Sequence, residues 1–176
     1  MLELIRTRRS IRKYKTTPVE KEKLDYILKC ALLSPSSRSL RPWSFILVDA
    51  PEDLHALSLC REKGSSFLAG APLAIVIVAD PEICDVWVED CSVAATVIQL
   101  AAHSQNLGSC WIQVRARFSP DGTPAENLIK ERLNVPSHLK VASIIAMGHP
   151  DEQKPPYTED TFIWNKIHRG RYKCVD

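Results

Sequence analysis

Apolar residues recur at Leu24, Ile27, Leu28, Ala31 and Leu32, the i, i+3, i+4, i+7, i+8 stripe of an amphipathic helix. Thr17-Pro18-Val19-Glu20 precedes it, a capping hydroxyl followed by Pro at the first helical position and Glu at the third. The pattern predicts a helix that starts there and stops at Ser34-Pro35. Over residues 88–106, Val93, Ala94, Val97, Ile98, Leu100, Ala101 and Ala102 spread almost around the helix, which predicts a buried central helix with Gly108 as its C-terminal cap. Shorter helices are expected over residues 2–8 and 51–60. Thr123-Pro124-Ala125-Glu126 repeats the capping pattern ahead of another that ends near Leu133. Residues 43–48, 74–79, 109–114 and 141–147 are dense in branched and aromatic side chains and read as strands. Strands alternating with helices ordinarily predict a parallel α/β sheet. Beyond Gly148 the chain is polar, yet Phe162, Ile163, Trp164 and Ile167 need a surface to bury on.

The 176 residues suit one domain over the whole length, and 45% hydrophobic with 25% charged residues excludes disorder as the main state. No apolar run approaches the roughly 20 residues of a membrane span, and the charged start lacks a signal-peptide core, so a cytoplasmic protein with no membrane partner is expected. Six scattered cysteines (Cys30, Cys60, Cys84, Cys91, Cys110, Cys174) show no metal-ligand spacing and read mostly as buried thiols. The net charge of +2 becomes informative once divided: residues 1–15 hold six basic side chains against one acidic, and the remainder 17 against 20.

That local charge lies in Arg8-Arg9-Ser10-Ile11-Arg12-Lys13-Tyr14. In an extended segment Arg8, Ser10 and Arg12 point to one side, and guanidiniums suit phosphate because they deliver parallel charged hydrogen bonds. A solvated basic arm is the other reading. Nucleic-acid binding is disfavoured by the acidic remainder and by the lack of interleaved aromatics. The loop Ser34-Pro35-Ser36-Ser37-Arg38-Ser39-Leu40-Arg41-Pro42-Trp43 offers hydroxyls and freed backbone groups that can bond the edge of a planar heterocycle, or it is simply a turn. Trp43 opens an apolar strand and reads as core, and His103 reads as structural. No G-x-G-x-x-G or P-loop is present, so a nucleotide-like group would have to be held by side-chain charge.

Arg8-Arg9-Ser10-x-Arg12, Pro35-Ser36-Ser37-x-Ser39-x-Arg41-Pro42-Trp43, Ala71-Pro72 before a strand, Asn106-Leu107-Gly108-Ser109-Cys110-Trp111-Ile112 after a long helix, and Gly148-His149-Pro150 together resemble the nitroreductase family of FMN-dependent oxidoreductases. The resemblance covers nearly the whole chain, in order and with the family's spacing. It implies an α+β fold, a three-layer α/β/α sandwich with a mixed, largely antiparallel sheet, in place of the parallel sheet. It further implies an intertwined homodimer with FMN at the subunit interface and residues 150–176 reaching the partner. By the same resemblance, Arg8, Arg9, Ser10 and Arg12 hold the FMN phosphate, assisted by Lys154. Pro35, Ser36, Ser37, Ser39 and Arg41 belong to the loop that a second subunit brings to the flavin ring, and Trp111, Ile112 and Gln113 cover its other face.

The family's usual loop has Asn and Gln where this chain has Ser39 and Arg41. Arg41 brings a fixed positive charge toward the presumed ring, which would stabilise the anionic reduced flavin and favour an anionic substrate. The activity the resemblance implies is hydride transfer from NADH or NADPH to flavin N5, then to a small electron-poor acceptor such as a nitroaromatic or quinone, with no protein catalytic residue. The alternatives are another flavin reaction, such as reductive dehalogenation or enone reduction, or a non-catalytic flavin-binding module.

Overall fold

The computed structural model describes residues 1–172. Every residue of β2 (Leu73–Ala79) is buried. A strand sends alternate side chains to opposite faces, so Leu73, Ile75, Ile77 and Ala79 enter one core while Ala74, Val76 and Val78 enter another. Such a strand must lie at the centre of a sheet covered on both sides. It pairs with β1 (Trp43–Val48) and β4 (Lys140–Gly148), and β3 (Gly108–Gln113) pairs with β4, giving the order β1-β2-β4-β3. All pairings among these strands are antiparallel, which corrects the parallel sheet that alternation of elements suggests. β1 to β2 and β3 to β4 are adjacent strands of opposite sense, whereas β2 and β3 run in the same sense with β4 inserted between them.

On one face lie α2 (Lys21–Leu32) and α4 (Trp87–Ser104), whose Ile27, Ala31, Ala94, Ala95 and Ile98 meet Ile75, Ile77, Ile145 and Met147. On the other lie α3 (Pro51–Ser58), a short turn at Ser66–Gly70 and α5 (Ala125–Leu133), with Leu54, Leu57, Leu68 and Ile129 against Val76, Val78 and Ile144. The fold is therefore a three-layer α+β sandwich. Each isoleucine buried completely in these layers is worth roughly 1.5–3 kcal/mol. Ile27, Ile75, Ile77 and Ile129 fall in that class.

The helix starts differ from the capping patterns. Glu20, not Thr17, precedes α2, without a side-chain cap bond. Its carboxylate goes instead to Lys23 at 2.9 Å and His149 at 3.0 Å. Pro124 stands before α5; Thr123 closes a turn by accepting from the Ser119 N–H, and Glu126 accepts from the Val141 N–H at 3.2 Å, tying α5 to β4. Gly108 is not a helix cap either. Asn106, with φ of 60°, makes the left-handed turn after α4, and Gly108 already begins β3.

Four cysteines (Cys60, Cys84, Cys91, Cys110) are buried and Cys30 is partly so; Cys174 lies outside the described residues. Among the described residues no helix is long and apolar enough to cross a membrane.

Candidate functional site

After α1 (Leu2–Thr7) the basic segment is extended and tied along the sheet. The Ile11 N–H donates to the Ser109 carbonyl at 3.0 Å, the Asp151 N–H to Lys13 at 2.9 Å, and the Lys15 N–H to His149 at 2.9 Å. A β-carbon on Gly108 would stand 2.8 Å from the Cβ of Ile11, so only glycine admits this segment so close to β3. Tyr14 is buried and its hydroxyl donates to the Ile11 carbonyl at 2.5 Å. The segment is thus the wall of a site rather than a free arm.

That wall borders a cleft of about 250 Å³ lined by Thr7, Arg8, Arg9, His103, Asn106, Gly108, Glu152 and Lys154, among others. Lys154 Nζ donates to the Ser10 carbonyl at 2.6 Å and lies 3.5 Å from Glu152. Glu152 also accepts from the backbone N–H groups of Arg12 and Lys13; the Arg12 N–H in particular holds its carboxyl below the usual range. Arg9 donates to the Pro155 carbonyl and lies 4.5 Å over the Tyr157 ring. Arg12 turns elsewhere, its guanidinium 5.8 Å over Phe67, and is not among the cleft residues.

Sequence reasoning did not single out Thr7 or Glu152, quoted Asn106 only as the opening of the motif after the long helix, and read His103 as structural. The Thr7 hydroxyl donates to the Glu3 carbonyl at 2.7 Å, so its oxygen must accept from His103 Nε2 at 2.8 Å, which sets the imidazole tautomer. Burial, then the neighbouring Arg8, holds this histidine below its ordinary pKa. Burial also pushes the Cys110 thiol up despite Arg12, Lys154 and Arg8 nearby, so it is no thiolate nucleophile.

The cleft therefore joins three cations, Arg8, Arg9 and Lys154, to one carboxylate. The balance of two positive charges matches a phosphate monoester, which carries about −1.5 to −2 near neutrality. The donor set fits a phosphate group.

The second candidate segment lies far away. Ser36 to Arg41 form a tight turn in which Arg38, Ser39 and Arg41 have φ of 51°, 55° and 49°. A left-handed conformation costs a non-glycine residue roughly 1–2 kcal/mol. The Ser37 N–H donates to Asp90 Oδ1 at 2.8 Å, the Arg41 N–H to Ser36 Oγ at 3.0 Å, and the Arg38 guanidinium pairs with Asp85. Trp43 is buried in the core, stacked on Phe45 at 5.1 Å. This loop adjoins the amino end of α4, whereas His103 and Asn106 mark its carboxyl end. At 1.5 Å per residue, Asp90 and His103 are about 20 Å apart along the helix.

The third segment closes β3. Trp111 donates from Nε1 to Gln113 Oε1 at 3.0 Å, and Gln113 donates to the Arg115 carbonyl at 3.0 Å. Ile112 is completely buried, leaving only its backbone to a ligand.

An antiparallel sheet with helices on both faces defines an α+β fold, and its cationic cleft suits an anion. A profile described as the Nitroreductase family matches residues 5–63 and 49–149. A protein of Archaeoglobus fulgidus, provisionally assigned as an NADH dehydrogenase/NAD(P)H nitroreductase, is 36% identical over 97% of this chain and 98% of its own. The structure of an FMN-dependent nitroreductase from Clostridium difficile is 53% identical, with a TM-score of 0.96 over 98% of this chain and 100% of that one. A structure from Parabacteroides distasonis, provisionally assigned as an NADH dehydrogenase/NAD(P)H nitroreductase, is 32% identical, with a TM-score of 0.87 over 97% and 98% of the two chains. The chain belongs to the nitroreductase family.

Proposed function

We propose that the protein is an FMN-dependent NAD(P)H oxidoreductase that reduces an electron-poor small molecule of the nitroaromatic or quinone type and works as a homodimer. The observation that carries this reading is the cleft of Arg8, Arg9 and Lys154, whose charge and size suit the phosphate of FMN in a chain of this family. Arg8, Arg9 and Lys154 hold that phosphate, with Ser10 presenting its backbone beside them. Arg12, 5.8 Å over Phe67, lies outside the cleft and is not assigned to the phosphate.

When bound, FMN would supply the redox chemistry that links NADH or NADPH to the acceptor. The chain's own residues bind and orient. Trp111 and Gln113, locked to each other at 3.0 Å, form a rigid surface for one ring face. The loop containing Pro35, Ser36, Ser37, Ser39 and Arg41 bonds the ring edge. In one chain that loop adjoins the amino end of α4 and the cleft its carboxyl end, about 20 Å apart along the helix, which supports the reading that the loop serving each cofactor comes from a second copy, as the family resemblance implies. Arg41 adds a positive charge at that edge and favours acceptors bearing an anionic group.

Purified protein should be yellow, with close to one FMN per chain. It should oxidise NADH or NADPH faster when nitrofurazone or menadione is added. Stoichiometric FMN without turnover would leave a flavin-binding module; colourless protein that takes up no added FMN would overturn the reading.

A further inference from the structure

From the carboxylate of Asp90, which no part of the sequence reading marked, we infer that the segment 84–90 is a clasp shaping the flavin-facing loop, with Asp90 its positioning residue. The inference rests on the assignment of the loop at residues 35–41 to the flavin ring.

Asp90 is 5% exposed, and each of its oxygens has one donor: the Ser37 N–H at 2.8 Å on Oδ1 and the Cys84 thiol at 3.4 Å on Oδ2. A thiol is a weak donor, so the backbone N–H of the loop is the main compensation for burying this carboxylate, aided by the α4 amino terminus. A second tie runs in parallel. The Arg38 guanidinium pairs with Asp85 and lies 3.8 Å from the Cys84 sulfur. Three residues of 84–90 therefore grip two consecutive residues of the loop.

The grip is placed where the backbone resists. Ser37 and Arg38 stand immediately before or within the run of left-handed residues Arg38, Ser39 and Arg41, none of them glycine. A free loop of this sequence would relax toward negative φ and redirect the hydroxyl groups of Ser37 and Ser39. Inside the loop, the Ser36 hydroxyl accepts the Arg41 N–H at 3.0 Å, which closes the turn but does not orient it against the body of the protein. Orientation comes from Asp90. The carboxylate touches no cofactor; it acts through the loop it holds.

The test compares full-length Asp90→Ala and Asp90→Asn with wild type. Asparagine retains one carbonyl oxygen for the Ser37 N–H; alanine retains none. In Asp90→Ala the Ser37 amide should exchange its hydrogen at least about tenfold faster, and the FMN dissociation constant should rise about tenfold or more, the worth of a hydrogen bond to a charged group. The absorption spectrum and reduction potential of the bound flavin should shift as well, which a loss of stability alone would not produce. Asp90→Asn should stay within about threefold of wild type. Unchanged affinity and spectrum in Asp90→Ala would overturn the clasp, as would a fall in melting temperature with flavin properties intact. If Asp90→Ala fails to fold, Ser37→Pro deletes the same N–H, and Ser36, with φ −140° and ψ 156°, already has the backbone that a following proline requires. Wild-type flavin properties in Ser37→Pro would then overturn the proposal. Wild-type protein that binds no FMN would instead overturn the flavin assignment, and this inference with it; FMN-binding wild type with indifferent variants overturns the clasp alone.

Discussion

Lys154 Nζ lies 2.6 Å from the backbone oxygen of Ser10, joining residues 144 apart in the chain. The bond closes the cleft with a cation from the tail that follows β4 and fixes the basic segment from the side opposite β3. Glu152 balances it, drawing both Lys154 and the N–H groups of Arg12 and Lys13 to one carboxylate. The proposed phosphate site is therefore built from two segments distant in the chain.

Arg8→Ala and Lys154→Ala should each weaken FMN binding by about 10- to 100-fold, the range expected for a lost hydrogen bond to a charged group. Quenching of FMN fluorescence on titration measures it. Arg12→Ala tests a different contact, because its guanidinium lies over Phe67. A loss in Arg12→Ala with Arg8→Ala silent would move the phosphate out of the cleft.

Gly148→Ala should destabilise the protein by roughly 1–3 kcal/mol, the cost of overpacking a filled site. Its new β-carbon would fall 2.6 Å from the ring carbons of Pro72, which cannot rotate away. Urea midpoints report the change. An unaltered midpoint would mean that the β2 entry at Pro72 yields more easily than this packing implies.

His103 should make stability fall on the acid side. Its folded pKa is below the ordinary 6.5, so below that value the unfolded chain takes up a proton that the folded chain resists. The contribution is complete above 6.5 and declines as pH drops through it toward the lowered folded value. His103→Gln keeps a donor for Thr7 and removes the titration. Between about pH 7.5 and about pH 5 its urea midpoint should fall less than that of wild type. Equal falls would show that carboxylates alone set the slope.

Ile163, Trp164 and Ile167 are 62%, 70% and 64% exposed, an apolar surface that the described residues leave uncovered. The tail before it is anchored at home, with the Tyr157 N–H donating to Arg6 at 3.0 Å. Truncation after Thr158 keeps that anchor, Glu152 and Lys154 while removing the apolar part. Sedimentation should show the proposed dimer weakened or lost. An unchanged dimer would assign these residues no role in association.

Arg41→Gln should lower kcat/KM for a carboxylate-bearing nitroaromatic about fivefold while sparing a neutral one, as expected for a charge contact worth about 1 kcal/mol at a partly exposed site. Equal effects on both substrates would remove Arg41 from acceptor selection.

Local pattern alone determined which stretches of this protein are helix and which are strand. The unbroken run of branched apolar residues at 74–79 marks a buried strand and the period of 3.6 in residues 24–32 marks a helix, and both elements stand within a few residues of where those patterns put them. The same pattern could not choose strand direction, because a buried run such as Leu73–Ala79 reads alike in a parallel or antiparallel sheet. Caps were misjudged at Thr17 and Thr123 for a related reason: tertiary partners, His149 for Glu20 and Val141 for Glu126, competed for the side chains. Charge in the first fifteen residues marked the anion site, but a basic run says nothing about what lies beside it. Only folding brought Lys154 to Ser10, His103 to Thr7 and Asp90 to Ser37, because each is a contact between residues distant in sequence, set by where the sheet and α4 place the backbone.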